Sequence, residues 1–164
     1  MLYASPPEDF RVVFEAVLCV VVCRSDVLLL LRKPGTTFGG LWGLPGGSIR
    51  DYESPYFAMI RELYEETKYR LGGRNSGSLR YAGKVWAERE PLPEESEDLP
   101  YRPGGIFYVY GLKVPEKSSV VVVINDEDEE HEDSVWVNLE DIPVIKDKTV
   151  PDLAGFIRIV YPDV

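Results

Sequence analysis

The chain is poor in the residues on which several common chemistries depend. One histidine, His131, among 164 residues excludes a zinc protease built on two histidines one helical turn apart. The two cysteines, Cys19 and Cys23, lie in one apolar run, and four residues of strand would separate them by roughly 13 Å, too far for a mutual disulfide. They also lack zinc-site partners at the usual spacings. Buried free thiols in a reducing compartment, and hence a cytoplasmic location, are the expectation. No stretch reaches the ~18 uninterrupted apolar residues of a membrane helix, and the opening MLYASPPEDFR lacks the basic-then-apolar pattern of a secretory signal. No membrane partner is expected.

Positive charge is scarce as well. Lys and Arg total 18 against 28 Asp and Glu, for a net charge of -10 and a pI near 4.6. Binding along a phosphate backbone needs clustered cations, so long nucleic acid is not an expected partner. A small phosphorylated ligand stays compatible, because a bound metal inverts the local charge. Gly83-Lys84 runs into Val85 without the spacing of a Walker A loop.

What is present suits a single domain over 1–164, with 45% hydrophobic and 28% charged residues, no internal repeat and enough length for one core. The run 10–23, RVVFEAVLCVVVC after Phe10, is β-branched and apolar enough for a long buried strand. Arg24-Ser25-Asp26 then turns into a second strand over 27–32, and the two predict a central hairpin. Further strands are expected over 79–88, 106–114, 119–124 and 135–139. Between them, 89–105 (REPLPEESEDLPYRPGG) is an irregular insertion carrying Tyr101 and Arg102, a candidate lid or a plain solvent loop. The acidic run DEDEEHED over 126–133 lacks the glycine and downstream glutamate of a calcium-binding EF-hand loop.

The chain is organised around 46–69, GGSIRDYESPYFAMIRELYEETKY. Ser54 suits a helix N-cap and Pro55 the first helical position. Phe57, Ile60, Leu63, Tyr64 and Thr67 recur at helical spacing and predict the buried side. Glu62, Glu65 and Glu66 then share the other side. Three like charges so close repel, and a solvated acidic face is the bland explanation. The preceding Pro-Gly-Gly turn, Glu53 and Arg61 argue instead for a hard divalent cation, Mg²⁺ above all, which takes one or two protein carboxylates together with substrate phosphates. Gly46 and Gly47 allow the backbone close to an ion or a phosphate.

Gly47, five residues, Glu53, seven residues, then Arg61-Glu62-Leu63-Tyr64-Glu65-Glu66-Thr67-Lys68-Tyr69 resembles the Nudix box, GX5EX7REUXEEXGU, with U an apolar residue. The chain is thus similar to the Nudix hydrolase family, and among its members to ADP-ribose pyrophosphatases through GLWGLPGG followed by RELYEET. Lys68 stands where the family has glycine, so the helix is expected to run on and stop near Gly72 and Gly73. The resemblance implies an α+β fold, an α/β/α sandwich whose mixed central sheet lies between the Nudix helix and a C-terminal helix near 150–159. It implies Mg²⁺, with Mn²⁺ as a substitute, on Glu62, Glu65, Glu66 and the Gly46 carbonyl. Glu53 and Arg61 take an orienting role. The family draws a further acid from a loop before a Trp-containing strand, which makes Glu130, His131 and Glu132 candidates for an additional metal ligand or, as alternatives to Glu62, for the general base. Trp42 reads as a core or lining residue. Arg32, Gly47, Tyr101 and Arg102 are candidates for substrate contact, with a salt-bridge role open for Arg32. The implied activity is hydrolysis of the diphosphate in a nucleoside diphosphate linked to a second group. Triphosphate or dinucleoside polyphosphate cleavage is the alternative, a non-catalytic nucleotide sensor the reading without enzymology. A homodimer is compatible with the family.

Overall fold

The computed structural model describes residues 1–72, 77–89, 99–124 and 130–163. In chain order the strands are β1 (Leu2–Tyr3), β2 (Phe10–Cys23), β3 (Asp26–Arg32), β4 (Trp42–Gly43), β5 (Gly46–Ser48), β6 (Arg80–Glu88), β7 (Arg102–Lys113) and β8 (His131–Asn138), and the helices are α1 (Pro55–Thr67) and α2 (Leu153–Val160). The strands form one mixed sheet in the order β1-β6-β7-β2-β3-β4, with β5 added to β2 and β8 to β3.

The long apolar β2 is the axis of the sheet. It runs parallel to β7 from Phe10 opposite Arg102 to Val22 opposite Lys113. Its hairpin with β3 is shorter than the sequence suggests, pairing only Val22 with Val27 and Cys23 with Asp26. Lower down, β2 pairs instead with β5, from Ala16 opposite Ser48 to Leu18 opposite Gly46. Gly46 and Gly47 of β5 thus lie against the middle of β2.

Strand alternation divides the core in two. Val17, Cys19, Val21 and Cys23 face Ala58, Met59 and Leu63 of α1. Val20 and Val22 face Leu153, Phe156 and Ile157 of α2. Burying Met59 or Leu63 fully contributes about 1.5–3 kcal/mol each, which holds α1 flat on the sheet. The result is the expected α+β sandwich. Trp42 packs at the edge of the α2-side cluster, and no described helix is long and apolar enough to cross a membrane.

Four expectations need correction. First, α1 is rotated relative to its hydrophobic pattern: Phe57 and Tyr64 are exposed, whereas Ala58, Met59, Leu63, Glu66 and Thr67 are buried. Second, α1 stops at Thr67, because Lys68 itself takes the left-handed conformation (φ 52°, ψ 13°) that a glycine would supply, and its N–H donates to the Tyr64 carbonyl. Third, 120–124 is not a strand of the sheet. Val121 N–H donates to the Thr67 carbonyl and Val123 N–H to the Glu66 carbonyl, so the segment satisfies acceptors that the end of α1 leaves open. Fourth, the expected insertion ends earlier, since Arg102 to Gly105 already belong to β7. Residues 90–98 of that insertion, and 125–129 of the acidic run, lie outside the described residues.

Candidate functional site

The site is built where β5 passes under α1. Ser54 caps the helix by accepting from Phe57 N–H, and Pro55 follows as its first residue. Gly46 has φ +150°, and a Cβ there would lie 2.1 Å from the Val17 carbonyl oxygen. Only glycine fits. Its N–H donates to Glu66 Oε2 at 2.8 Å, which explains how a carboxylate only 6% exposed sits on the inner side of the helix. At Gly47 a Cβ would meet Glu62 Oε1 at 2.6 Å and Glu62 Cδ at 2.7 Å. The two glycines therefore bring backbone directly against two of the three helix glutamates.

Arg61 ties the acids together. Its Nε and Nη2 donate to both oxygens of Glu53 at 2.8 and 2.9 Å, Nη2 also to the Ser48 carbonyl at 3.0 Å, and Nη1 to Glu62 Oε1 at 2.6 Å and Glu65 Oε2 at 3.1 Å. A planar guanidinium is suited to this fork where a lysine is not. The Arg61 bonds, helped by the Arg50 N–H, hold the Glu53 carboxyl down at about 2, against the opposing effect of burial. Arg61 in turn is pushed up, first by its bonds to Glu53. Glu62 is shifted the other way: burial raises its carboxyl above the usual range despite the pull of Arg61. Arg50 reaches Glu65 Oε1 at 3.3 Å.

His131 completes the group from β8. It is 2% exposed, and its Nδ1 lies 3.5 Å from Glu66 Oε1 without a hydrogen-bond partner. Burial lowers its pKa to about 4, with Arg32 and Lys33 adding to the effect and Glu130 opposing it, so the imidazole is neutral at neutral pH. Of the three neighbouring candidates, His131 is the one set against a helix glutamate. Glu130 instead pairs with Arg32 Nη2 at 2.6 Å, and Arg32 Nε donates to the Thr37 carbonyl. Glu132 is half-buried and unpaired at the register shift between β3 and β8.

The donor set suits a hard divalent cation: three carboxylates on two helical turns, a glycine backbone beside them and an unpartnered buried imidazole. Among the described residues, no three acidic, histidine or cysteine side chains already converge on one point as a cation centre would. The Arg61 guanidinium instead holds Glu62 and Glu65. Glu53, Arg61, Glu62, Glu65, Glu66, Gly46 and Gly47 are thus brought together. Tyr101 and Arg102 are not. Tyr101 lies under Arg11, 4.9 Å from guanidinium to ring centroid. Arg102 bonds Asp9, Glu88 and Tyr3. Its register partner, Phe10, is roughly 26 Å along β2 from Leu18, the partner of Gly46. The sequence reading missed the pairing of Glu66 with Gly46 N–H, for which no residue pattern gave a signal.

Comparison with known proteins gives a family and a fold. The profile of the NUDIX domain family matches residues 13–158. An 8-oxo-dGTP diphosphatase from Proteus vulgaris is 40% identical over 48 residues, 28% of this chain and 43% of that one. A bifunctional NMN adenylyltransferase/ADP ribose pyrophosphatase from Francisella tularensis, solved with AMP and a Mn ion, superimposes with a TM-score of 0.64 at 24% identity, over 92% of this chain and 41% of that one. The NUDIX domain of NrtR from Shewanella oneidensis, solved with ADP ribose, gives a TM-score of 0.65 at 22% identity, over 96% and 92% of the two chains. The matches thus span less than half the length of the Proteus and Francisella proteins.

Proposed function

The chain belongs to the NUDIX domain family, and from that premise we propose that it hydrolyses the diphosphate linkage of a nucleoside diphosphate joined to a second group, with ADP-ribose or a related derivative as substrate. The observation that carries this reading is the placement of Glu62, Glu65 and Glu66 beside Gly46 and Gly47 of β5, with Arg61 and Glu53 bracing them. Relatives solved with AMP and Mn, or with ADP ribose, support the nucleotide and the metal.

In this reading Glu65, Glu66 and the Gly46 carbonyl, with Glu62 as a further candidate ligand, would hold Mg²⁺, with Mn²⁺ as a substitute. When bound, the cation neutralises phosphate charge and makes water a better nucleophile. The chain's own residues supply position and proton transfer. Arg61, locked bidentately to Glu53, keeps the turn against the helix. Glu62, set against Gly47 and held by Arg61, would take the proton released as water attacks phosphorus. The P–O–P bridge breaks, leaving a nucleoside monophosphate and a phosphorylated second group. A nucleoside triphosphate is the second reading, favoured by the 40% identity with the Proteus diphosphatase over 48 residues.

A panel of ADP-ribose, nucleotide sugars, dinucleoside polyphosphates and triphosphates, incubated with Mg²⁺ and then with EDTA, tests the proposal. Release of AMP and ribose 5-phosphate from ADP-ribose, abolished by EDTA, is expected. No metal-dependent cleavage of any panel member with Mg²⁺ or Mn²⁺ overturns it.

A further inference from the structure

Beside α1, on the same face of the sheet, β1, β6 and β7 carry a row of aromatic side chains, of which Tyr110 and, at its edge, Tyr108 also reach the core under α1. Directly paired residues of neighbouring strands project to one side. Tyr3 stands opposite Trp86 across β1 and β6, Lys84 opposite Tyr108 across β6 and β7, and Tyr81 opposite Tyr110. The side chains meet accordingly: Lys84 Nζ lies 5.3 Å from the Trp86 ring, the Tyr81 and Tyr110 rings are 5.5 Å apart, and the Tyr108 hydroxyl donates to Glu15 Oε1 at 2.9 Å. Tyr81 is exposed, and Trp86 and Tyr108 are half-buried.

This surface is continuous with the carboxylates. Val17 of β2 is the register partner of Tyr108 on one side and of Gly47 on the other, and Gly47 lies against Glu62. One row therefore crosses four strands, Lys84, Tyr108, Val17 and Gly47, a span of about 14 Å at the usual strand spacing. That span is comparable to an extended nucleoside diphosphate. Aromatic faces accept any planar base by stacking. The ammonium of Lys84 over Trp86 is an exposed cation–π contact of small worth, which a base can displace. In a chain of net charge -10, a lysine beside half-buried aromatic rings also complements a phosphorylated ligand.

We infer that Trp86 and Tyr108 form the nucleoside half of the substrate site. The base stacks on Trp86 in place of the Lys84 ammonium, Lys84 turns to the ribose or the first phosphate, and Glu15, fixed through Tyr108, offers its second oxygen to an amino group of the base. The inference rests on the reading that the diphosphate lies at Glu62 to Glu66. If the aromatics served only to stabilise the sheet edge, they would not respond to ligand.

The test uses the full chain without metal, titrated with AMP and, as a base-free control, with ribose 5-phosphate, while tryptophan fluorescence is followed. Saturable quenching by AMP, absent with ribose 5-phosphate and lost in Trp86→Phe (which leaves Trp42 and Trp136 as emitters), is expected. In steady-state kinetics with Mg²⁺ and whichever nucleotide the wild type cleaves, Trp86→Leu raises KM about tenfold with a smaller change in kcat, and Trp86→Phe restores most of it. Quenching that survives in Trp86→Phe, no saturable response to AMP, or an unchanged KM in Trp86→Leu overturns the inference. Because AMP binding is read without metal, its failure alongside intact Mg²⁺-dependent hydrolysis rejects this subsite alone, whereas absent hydrolysis rejects the function.

Discussion

His131 Nδ1 faces Glu66 Oε1 at 3.5 Å with both side chains buried, while the other oxygen of Glu66 accepts from Gly46 N–H. Two neighbours from different elements thus fix the rotation of a single carboxylate. The neutral imidazole of His131, packed against Glu66 without a hydrogen bond at Nδ1, confines that carboxylate, much as partners beyond the ligands orient metal sites elsewhere. His131→Ala should weaken Mn²⁺ binding about 10- to 100-fold, and His131→Asn, which keeps a polar group packed near Glu66, should recover part of it. Calorimetric titration of Mn²⁺ into each variant measures this, and equal affinities would show that His131 only fills space.

The same burial sets a pH dependence. His131 titrates near 4 when folded, against an ordinary value of 6.5. The folded state therefore binds fewer protons than the unfolded state between those values. Its contribution to stability is fully present above about pH 6.5 and is lost as pH falls toward 4, by about 3 kcal/mol in all. Urea melts of wild type and His131→Gln between pH 7.5 and 4.5 should show the wild type losing this increment relative to the variant. Parallel pH profiles would contradict the assignment.

Gly46 and Gly47 are adjacent, and their substitution by alanine should have different consequences. At Gly46 the new methyl meets the Val17 carbonyl at 2.1 Å with φ at +150°, a backbone collision that cannot relax. Gly46→Ala should cost at least about 2–3 kcal/mol of stability. At Gly47 the methyl meets the Glu62 carboxylate, a side-chain end that can move aside. Gly47→Ala should fold within about 1 kcal/mol of wild type yet lose activity through displaced Glu62. Thermal melts and turnover, measured together, separate the two, and equal loss of stability in both would refute the distinction.

Lys68 ends α1 in a conformation that costs a non-glycine residue about 1 kcal/mol. Lys68→Gly should therefore gain roughly 0.5–1 kcal/mol, less the exposed contact of Lys68 Nζ with the Tyr64 ring at 5.0 Å. A lowered melting temperature would mean the lysine makes up for its strain.

The grouping of the candidate site was legible in the sequence because side chains three and four residues apart, about one helical turn, share a helix face, and glycines stand before them. Arg61 and Glu53 were legible for the same reason, and Ser54 with Pro55 marked the helix start through local bonding alone. The face of α1 was not. Hydrophobic periodicity counts Phe57 and Tyr64 as inward and any glutamate as outward, yet Glu66 is buried because Gly46 N–H satisfies it. The valines of 120–124 read as a strand, and only tertiary contact reveals that they bond to the end of α1. Choosing His131 over Glu130 and Glu132 depends on the β3–β8 register, which shifts between Leu31 and Arg32. A one-residue change in register reverses every side chain, so sequence alone left the three equivalent.

The account stands on the glutamates of α1 holding a divalent cation for hydrolysis, and Mn²⁺ binding to Glu65→Gln, followed by electron paramagnetic resonance alongside turnover, tests that most directly. Wild type should remove free Mn²⁺ signal saturably, and Glu65→Gln should bind it at least tenfold more weakly and turn over substrate about 100-fold or more slowly, with its circular dichroism spectrum unchanged. Equal Mn²⁺ affinity together with undiminished turnover in the variant would contradict it.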